Sequence, residues 1–327
     1  MVDLPPIIPF EPILKPAIWG GNRLQKFLQV PPTDDLIGEA WLLSDTASDP
    51  SVVSTGPLAG RNLRDLMDSC RDELIGVSKS QRFPVLLKLI DARTELSVQV
   101  HPTNELAKKL EPTSSSVGKT EAWRIIDCAD DSIIYAGFSK RCSSEAFRVA
   151  IDSNTVLEYL NQSRPEPGGC YFLKAGTIHA IGKNILLFEI QQTSDITYRL
   201  YDWGRVDPVT KQPRTLHIDK GLEATDFSIL RCEPIEPTLA LKGQTTTARL
   251  VDCPYFTFNE IEIQEPLFIG NQGVARAIVP LQGSVEIVAG NTSIVAKNGY
   301  AYLLPAQHGM ALLTPRDDAV IMDCTWK

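Results

Sequence analysis

The chain has 327 residues, a formal net charge of -8, 22% charged residues and 43% hydrophobic residues. This composition is typical of a globular protein, and the acidic surplus argues against nucleic acid or an anionic membrane as the main partner. The length exceeds what one small core needs, so we expect two domains, or one domain with a satellite.

The N-terminus and the cysteines predict the compartment. Residues 1–6 show no basic segment followed by an apolar one, so we expect no signal peptide. No apolar run approaches the ~18–20 residues that span a bilayer. The seven cysteines are scattered and form no Cys-x-x-Cys pair, which is typical of free thiols in a reducing cytoplasm. We therefore expect a cytoplasmic protein that holds any metal with nitrogen and oxygen ligands.

The first predicted elements are an extended segment, a strand, a helix and a buried strand. Residues 7–20 are rich in proline and end at Trp19, which we place at a loop mouth. Residues 38–44 predict a short strand, and the apolar stripe over 62–75 predicts a helix. Residues 83–91 form a continuous apolar run typical of a strand buried on both faces. Lys88 lies in its middle and needs a partner or a function.

The next stretch, residues 96–102, alternates apolar and polar side chains, which is typical of a strand with one face in a core. Ser97, Gln99 and His101 share the polar face, and Pro102 ends the strand. Gln and His can both bind a borderline metal such as zinc. A lone histidine at a strand end, however, more often makes an ordinary hydrogen bond.

Further polar side chains follow on later strands. Alternation over 118–126 puts Lys119 and Glu121 on one face, an arrangement that a simple cross-strand charge pair would also explain. One or two helices are predicted over 143–160. The remaining residues of interest are His179 after a tight turn, Glu189 in the strand 184–192, Arg199 at a strand end, and Arg205 beyond an Asp-Trp-Gly turn.

The last part of the chain has a different pattern. Residues 206–235 are a polar connector in which His217 has no clustered partner. From about residue 240, short strands separated by turns predict a β-sandwich or barrel. This part contains only His308, so we expect it to be metal-free. The predicted domains are therefore 1–235, with a helical insertion near 141–163, and 236–327.

Short strands dominate both parts, so we predict a mainly β protein with two jelly-roll barrels. No dinucleotide-binding glycine motif and no Gly-x-Ser-x-Gly elbow is present. Strand ends of the first part supply a mixed nitrogen and oxygen donor set that suits Zn²⁺ with one position open, namely Gln99, His101, Glu121 and His179. The same part supplies four cations, namely Lys88, Lys119, Arg199 and Arg205. A metal beside several cations predicts an anionic, hydroxylated substrate.

Seven motifs, in this order, resemble the type I mannose-6-phosphate isomerases (phosphomannose isomerases) of the short bacterial form, in the cupin superfamily. They are Lys15–Gly20, Gly38–Trp41, Pro84–Lys88, Ser97–Pro102, Gly118–Trp123, Ala175–Ala180 and Glu189–Arg199. The resemblance covers essentially the whole chain. The chain departs from the longer relatives after Arg199, where Tyr201–Arg205 replaces a Gly-Leu/Phe-Thr-Pro-Lys run. It also lacks their large helical domain.

The resemblance implies a double cupin with a small helical insertion and one Zn²⁺ per chain, held by the four donors above. It implies the interconversion of mannose 6-phosphate and fructose 6-phosphate through a cis-enediol(ate). We expect Arg199, Glu189 and Lys119 to be catalytic, and Lys88, Ser97, Trp19 and Arg205 to bind substrate. Glu189 is the candidate proton shuttle, with a pKa raised by partial burial. A lysine of lowered pKa, Lys119 or Lys88, is the competing base.

Three alternatives accompany this interpretation. An isomerase for another aldose phosphate, such as glucose 6-phosphate, would share the site. A non-catalytic cupin that binds sugar phosphates would be expected to have lost Glu189 or a cation, and all are present. An iron cupin oxygenase would require a His-rich facial triad, which Gln99 argues against. We expect a small-molecule sugar phosphate as the partner, with no nucleic acid and no membrane. Whether the protein is a monomer or a dimer is left open.

Overall fold

The structure, a computed structural model, describes residues 3–76, 78–113, 116–207 and 211–327. Strands make up most of the regular structure in these ranges. They are β1 (Ile8–Pro9), β2 (Ile13–Gly21), β3 (Ile37–Leu43), β4 (Val85–Ala92), β5 (Val98–Val100), β6 (Glu121–Cys128), β7 (Ile134–Phe138), β8 (Leu160–Ser163), β9 (Cys170–Leu173), β10 (His179–Ile181), β11 (Ile185–Gln192), β12 (Tyr198–Tyr201), β13 (Thr238–Lys242), β14 (Thr245–Asp252), β15 (Phe256–Ile263), β16 (Leu267–Gly270), β17 (Arg276–Gln282), β18 (Val285–Ala289), β19 (Thr292–Ala296), β20 (Tyr302–Leu304), β21 (Met310–Pro315) and β22 (Ala319–Trp326).

The helices of the described ranges are short. They are α1 (Arg23–Phe27), α2 (Leu63–Ile75), α3 (Asn104–Leu110), α4 (Ser144–Asp152) and α5 (Ile218–Ala224), with a single 3-10 turn at Val156–Glu158. Helix α2 begins as predicted, because the Asn62 side chain accepts a hydrogen bond from the backbone N–H of Asp65. Among the described residues, no helix combines the length and apolar character that a membrane crossing requires.

The strands form four antiparallel sheets, two from each part of the chain. The first part supplies a six-stranded sheet, ordered β2-β3-β4-β11-β6-β9, and a five-stranded sheet, ordered β12-β5-β10-β7-β8. The C-terminal part supplies most of a seven-stranded sheet, β1-β20-β17-β22-β15-β14-β13, and a four-stranded sheet, β16-β21-β18-β19. This mainly β, antiparallel architecture confirms the predicted fold class, with one pair of sheets for each of the two jelly-roll barrels. The predicted boundary at residues 235 and 236 stays a prediction.

Two regions add detail to the sequence-based expectations. The one or two helices predicted over 143–160 correspond to α4, which ends at Asp152, and to the 3-10 turn at Val156–Glu158, and β8 begins at Leu160. The segment 206–235, predicted as a polar connector, contains α5. That helix has seven residues and buries Gly221, Leu222 and Ala224. With Leu222 as its one large buried side chain, the helix has little apolar periodicity to detect.

Strands β4 and β11 explain how a continuous apolar run can carry charged residues. Leu87, Leu89 and Phe188 belong to a large apolar core shared with the C-terminal sheet, where Phe188 stacks on Phe258 at 5.6 Å between ring centroids. Successive strand residues point to opposite faces. The intervening Lys88 and Glu189 therefore point away from this core, toward the five-stranded sheet.

Candidate metal centre and adjoining cavity

Strand register brings the polar residues of the first part together. In the six-stranded sheet, Glu189 lies opposite Lys88 on one side and opposite Trp123 on the other. Two residues along, Gln191 lies opposite Glu121. Since side chains two positions apart share a face, Glu121 points to the same side as Glu189. Central, hydrogen-bonded strands of this sheet therefore carry Lys88, Glu121 and Glu189.

The five-stranded sheet contributes the other half of the site. Gln99 lies opposite His179 on one neighbouring strand and opposite Arg199 on the other. His101 follows immediately after β5. The alternation predicted for Ser97, Gln99 and His101 thus places polar groups from this sheet against those of the six-stranded sheet.

His101, Glu121 and His179 form a compact trio whose donor atoms all lie within 4.8 Å of one another. The Glu121 carboxylate is 3.4 Å from Nε2 of His101 and 3.3 Å from Nε2 of His179. The Nδ1 atom of His101 is 2.9 Å from the Ile196 carbonyl oxygen, and that of His179 is 2.9 Å from the Thr177 carbonyl oxygen. Those carbonyls require a proton on Nδ1, so both Nε2 lone pairs face Glu121, as metal-binding histidines require.

The charge states of the trio also suit a metal. Burial, together with the Lys119 ammonium, lowers the pKa of His101 to about 3, and burial lowers the pKa of His179. Burial alone would raise the pKa of Glu121, but Lys119 and both histidines hold it well below its usual range. Neutral imidazoles and an ionised carboxylate are the forms that bind metal.

The hydrogen bonding of Glu121 is a further sign of a cation site. Both of its carboxylate oxygens are buried, and neither has a hydrogen-bond partner of good geometry. The Lys119 ammonium lies 2.8 Å from one of them and 3.2 Å from Nε2 of His101. Buried carboxylate oxygens are normally hydrogen-bonded or bound to a metal. The donor set of the trio therefore fits a divalent cation.

Gln99 lies at the edge of the trio. Its amide nitrogen is 3.3 Å from Nε2 of His179, and its amide oxygen accepts a hydrogen bond of 3.3 Å from the Ser97 hydroxyl. The two ends of an amide are assigned from such contacts, and a rotation exchanges them. Either end can thus face the trio, and the role of Gln99 as a fourth ligand stays a prediction.

A cavity of about 320 Å³ adjoins the trio. It is lined by Trp19, Glu39, Lys88, Ile90, Leu96, Ser97, Gln99, Lys119, Trp123, Ile181, Glu189, Asp195, Thr197, Arg199 and Arg214. Seven of the residues predicted from the sequence are among them. Arg205 is not, because its guanidinium binds the Glu95 carbonyl and Asp202. Its predicted contact with substrate stays a prediction that this position does not favour.

Sequence reasoning did not assign Arg214, Asp195 and Thr197 to the site. Arg214 lies in the segment that was interpreted as a connector, and nothing in its local pattern points to the cavity. Glu39, in β3, also lines the cavity, and its carboxylate lies 3.3 Å from the Lys88 ammonium. For Arg214, the one available signal was a further cation soon after Arg205.

The buried charges beside the trio are arranged for proton transfer. Glu189 accepts a hydrogen bond of 3.0 Å from the Trp123 indole N–H, and its other oxygen is 3.6 Å from the Lys88 ammonium. Burial raises the pKa of Glu189 to about 7, against the opposing effect of Lys119 and Lys88. A carboxyl group with this pKa can accept or release a proton near neutral pH.

Lys88 differs from the expectation of a lysine with a lowered pKa. Burial alone would lower the pKa, but Glu39 and Glu189 raise it above the ordinary value for lysine. This direction favours a positively charged Lys88 near neutral pH and contradicts the expected lowering of its pKa, while the role of Lys88 in the reaction stays a prediction. A cation site, a proton-transferring carboxyl and several fixed cations around one small cavity suit an anionic, hydroxylated ligand.

Comparison with known proteins agrees with this chemistry. The family model described as phosphomannose isomerase type I, catalytic domain, matches residues 7–121. Mannose-6-phosphate isomerase ManA of Bacillus subtilis (strain 168) is 35% identical over 302 residues, covering 90% of this chain and 92% of the relative. Mannose-6-phosphate isomerase of Streptococcus mutans is 34% identical over 291 residues, covering 88% and 89%. The crystal structure of the mannose 6-phosphate isomerase from Bacillus subtilis matches with a TM-score of 0.90 and 29% identity, covering 98% of this chain and 99% of that one.

Proposed function

Since this chain belongs to the type I phosphomannose isomerase family, we propose that it interconverts mannose 6-phosphate and fructose 6-phosphate as a zinc-dependent aldose–ketose isomerase. The observation that carries the proposal is the buried trio of His101, Glu121 and His179, which adjoins, through Gln99 and Lys119, the cavity that Glu189 lines. Isomerisation moves a proton between neighbouring carbons, and it builds negative charge on the neighbouring oxygens. Glu189 suits the proton transfer, and a cation held by the trio would stabilise the negative charge.

Glu189 is the group that we propose to move the proton. It takes the proton from C2 of the aldose and returns it to C1 of the ketose, through a cis-enediol(ate). Its pKa of about 7, which results from burial, keeps both protonation states accessible. The Trp123 indole N–H, 3.0 Å from one carboxyl oxygen, holds the orientation of the group. Lys119 is the competing base, and its Nζ is 4.0 Å from Glu189.

The other residues bind and orient the sugar phosphate. A zinc ion held by His101, Glu121 and His179, with Gln99 within reach, would act as a Lewis acid toward the sugar oxygens. Arg199 contributes a guanidinium for the phosphate or the enediolate. Ser97 and Trp19 line the cavity, where they contact the sugar. The seven free cysteines fit the cytoplasm as the compartment.

Metal analysis combined with a coupled assay tests this proposal. Purified protein is assayed for conversion of mannose 6-phosphate to fructose 6-phosphate before chelation, after chelation, and after separate addition of Zn²⁺, Mn²⁺ and Mg²⁺. We expect about one zinc per chain, loss of turnover on chelation, and recovery with Zn²⁺. Glucose 6-phosphate, tested in parallel, should be a poorer substrate.

Each other result would contradict a stated part of the proposal. Full turnover without metal would contradict the role of the trio. Stoichiometric zinc without turnover on either sugar phosphate would favour a non-catalytic sugar-phosphate-binding protein. Efficient turnover of glucose 6-phosphate alone would change the substrate while leaving the site and its chemistry as proposed.

A further inference from the structure

The turn at Tyr201–Arg205, where the chain departs from its longer relatives, holds an arginine cluster around one buried carboxylate. Asp202 is 5% exposed. One of its oxygens accepts a hydrogen bond of 2.8 Å from Nε of Arg214, and the other accepts one of 2.5 Å from Nη2 of the same residue. Arg205 also donates to Asp202. This two-point contact fixes the plane of the Arg214 guanidinium, because both groups are planar.

The backbone explains why Arg214 returns to the cavity. The Asp207 N–H donates to the Gln212 carbonyl at 2.9 Å, and Val206 and Pro213 form an antiparallel bridge. Beyond Arg214, the Thr215 carbonyl accepts a hydrogen bond of 2.9 Å from Arg199, and the His217 N–H donates to the Arg199 carbonyl at 2.7 Å. The segment that follows Arg214 is therefore held against β12, and Arg214 lies beside Arg199 at the cavity.

The two arginines that bind Asp202 have different surroundings. Arg205 donates to the Glu95 carbonyl, and Trp203 donates to the Leu96 carbonyl at 2.7 Å. These contacts attach the turn to residues 95 and 96, in front of β5, and Arg205 is not among the residues that line the cavity. Arg214 lines the cavity itself. Arg205 thus supports the turn, whereas Arg214 is placed to meet a ligand.

The charge of the cluster indicates what that ligand is. The Asp202 carboxylate interacts with three guanidinium groups, those of Arg199, Arg205 and Arg214, and Asp195 is a second carboxylate at the cavity. The positive charge of Arg214 acts on Arg199, and together with burial it lowers the Arg199 pKa. Nε of Arg199 is buried and has no hydrogen-bond partner. Two neighbouring cations with donors to spare favour a doubly charged anion with several acceptor oxygens, such as a phosphate monoester.

We propose that Arg214 binds the phosphate of the substrate beside Arg199, and that Asp202 is the positioning residue which holds Arg214 for this contact. The inference rests on the proposed function and adds to it a cation that replaces the lysine of the longer relatives. It places Arg214, and not Arg205, at the substrate.

Substitution of Arg214 is the main test. Arg214→Ala removes a charge-assisted contact to the phosphate, so KM for mannose 6-phosphate should rise by about ten- to a hundredfold, while kcat changes little. Competitive inhibition by inorganic phosphate should weaken by a similar factor, because that ion probes the same contact. Arg214→Lys should recover part of the loss, since a lysine keeps the charge without the two-point geometry. Arg316→Ala, an exposed arginine paired with Glu286, is the matched control.

Asp202→Asn tests the positioning role. It should raise KM in the wild-type background but add nothing further in the Arg214→Ala background, since its effect acts through Arg214. A purely structural role would give additive effects on KM and no change in phosphate inhibition. Zinc content and melting temperature, measured on each variant, identify those that fail to fold. Arg214→Ala still decides the question if Asp202→Asn is unstable.

Two outcomes would overturn the inference. One is an unchanged KM and unchanged phosphate inhibition in Arg214→Ala. The other is an equal or larger effect in Arg205→Ala, which would return the phosphate contact to Arg205. Both are distinct from failure of the proposed function, because that failure would appear as absent turnover in the wild-type protein.

Discussion

The two parts of the molecule treat buried charge in opposite ways. In the first part, six ionisable side chains with exposures of 6% or less converge on one place, namely Lys88, His101, Lys119, Glu121, His179 and Glu189. In residues 236–327, all of which are described, the buried charged side chains are Glu260, Arg276 and Asp323. Each of these is in a close pair, Arg276 with Asp323 at 2.9 Å and Glu260 with Arg124 at 2.6 Å.

This difference separates a reactive interior from a supporting one. A buried charge costs several kcal/mol unless it is paired, and pairing leaves it unreactive. The convergent charges of the first part share their counter-ions, since Lys119 lies near both Glu121 and Glu189, and buried oxygens of both carboxylates lack hydrogen bonds. Groups in that condition are typical of functional sites. In the C-terminal pair, Nε of Arg276 also lacks a hydrogen-bond partner, but its Nη1 binds Asp323. The C-terminal part instead packs apolar side chains, such as Phe258, against the back of the six-stranded sheet.

Substitution of a trio residue should have the largest effect on metal content and turnover. We expect His101→Ala or Glu121→Ala to lose bound metal and turnover together. Turnover should fall by roughly three orders of magnitude or more, because even one hydrogen-bond donor to a transition state is worth ~10²–10³. Elemental analysis and the coupled assay measure the two losses on the same sample.

The control for this experiment comes from the supporting part. His308→Ala removes a histidine whose Nε2 is 2.8 Å from the Leu4 carbonyl, outside the cavity. It should keep both metal and turnover. A variant of the trio that keeps full metal content, or a loss of metal in His308→Ala, would contradict the assignment of the metal to the first part.

A smaller effect, on stability alone, is expected from the buried pair of the C-terminal part. Asp323→Asn removes the counter-ion of Arg276, and the uncompensated charge should lower the free energy of unfolding by ~3–5 kcal/mol. KM and metal content should not change. Urea unfolding followed by tryptophan fluorescence measures the loss.

The double variant Arg276→Met with Asp323→Leu is the control for that prediction. It removes both charges, and it should recover most of the lost stability, since apolar replacements of buried pairs are often neutral. If Asp323→Asn instead altered metal binding without lowering stability, the C-terminal part would belong to the reactive region and the contrast between the two parts would fail.

The sequence predicts which residues lie on polar strand faces, but not which of them meet across strands. Alternation in residues 96–102 and 118–126 placed Gln99, His101 and Glu121 on polar faces, because face selection depends only on neighbouring residues. The opposition of Glu189 to Lys88 and Trp123 depends on strand register over long sequence separations, which local patterns do not encode. The sequence thus predicted the members of the site better than their contacts.

Arg214 and α5 show where local patterns carry too little information. Both lie in a segment whose polar composition and prolines are typical of a connector. Asp202 holds Arg214 at the cavity, and α5 buries three residues, of which Leu222 alone has a large side chain. Neither the position of Arg214 nor the burial of α5 produces a periodic apolar pattern in the sequence. The resemblance to longer relatives did not help, because the chain departs from them at this segment.

The smallest predicted effect concerns Glu189, whose burial lowers the stability of the protein at high pH. Burial raises the pKa of Glu189 from its ordinary value of 4.5 to about 7, so the fold favours the protonated carboxyl. The stability that this proton contributes is complete below about pH 4.5 and is lost as the pH rises through about 7. Glu189→Gln is always neutral and avoids that loss.

The Glu189→Gln variant should therefore be more stable than the wild-type protein at pH 8.5, by about 1–3 kcal/mol, with a smaller difference at pH 5.5. Urea unfolding of both proteins at the two pH values, with metal content matched, measures the difference. A variant less stable than the wild-type protein at pH 8.5 would mean that Lys88 and Lys119 stabilise the ionised Glu189 more than burial destabilises it, and the carboxyl would then belong with the paired charges of the C-terminal part.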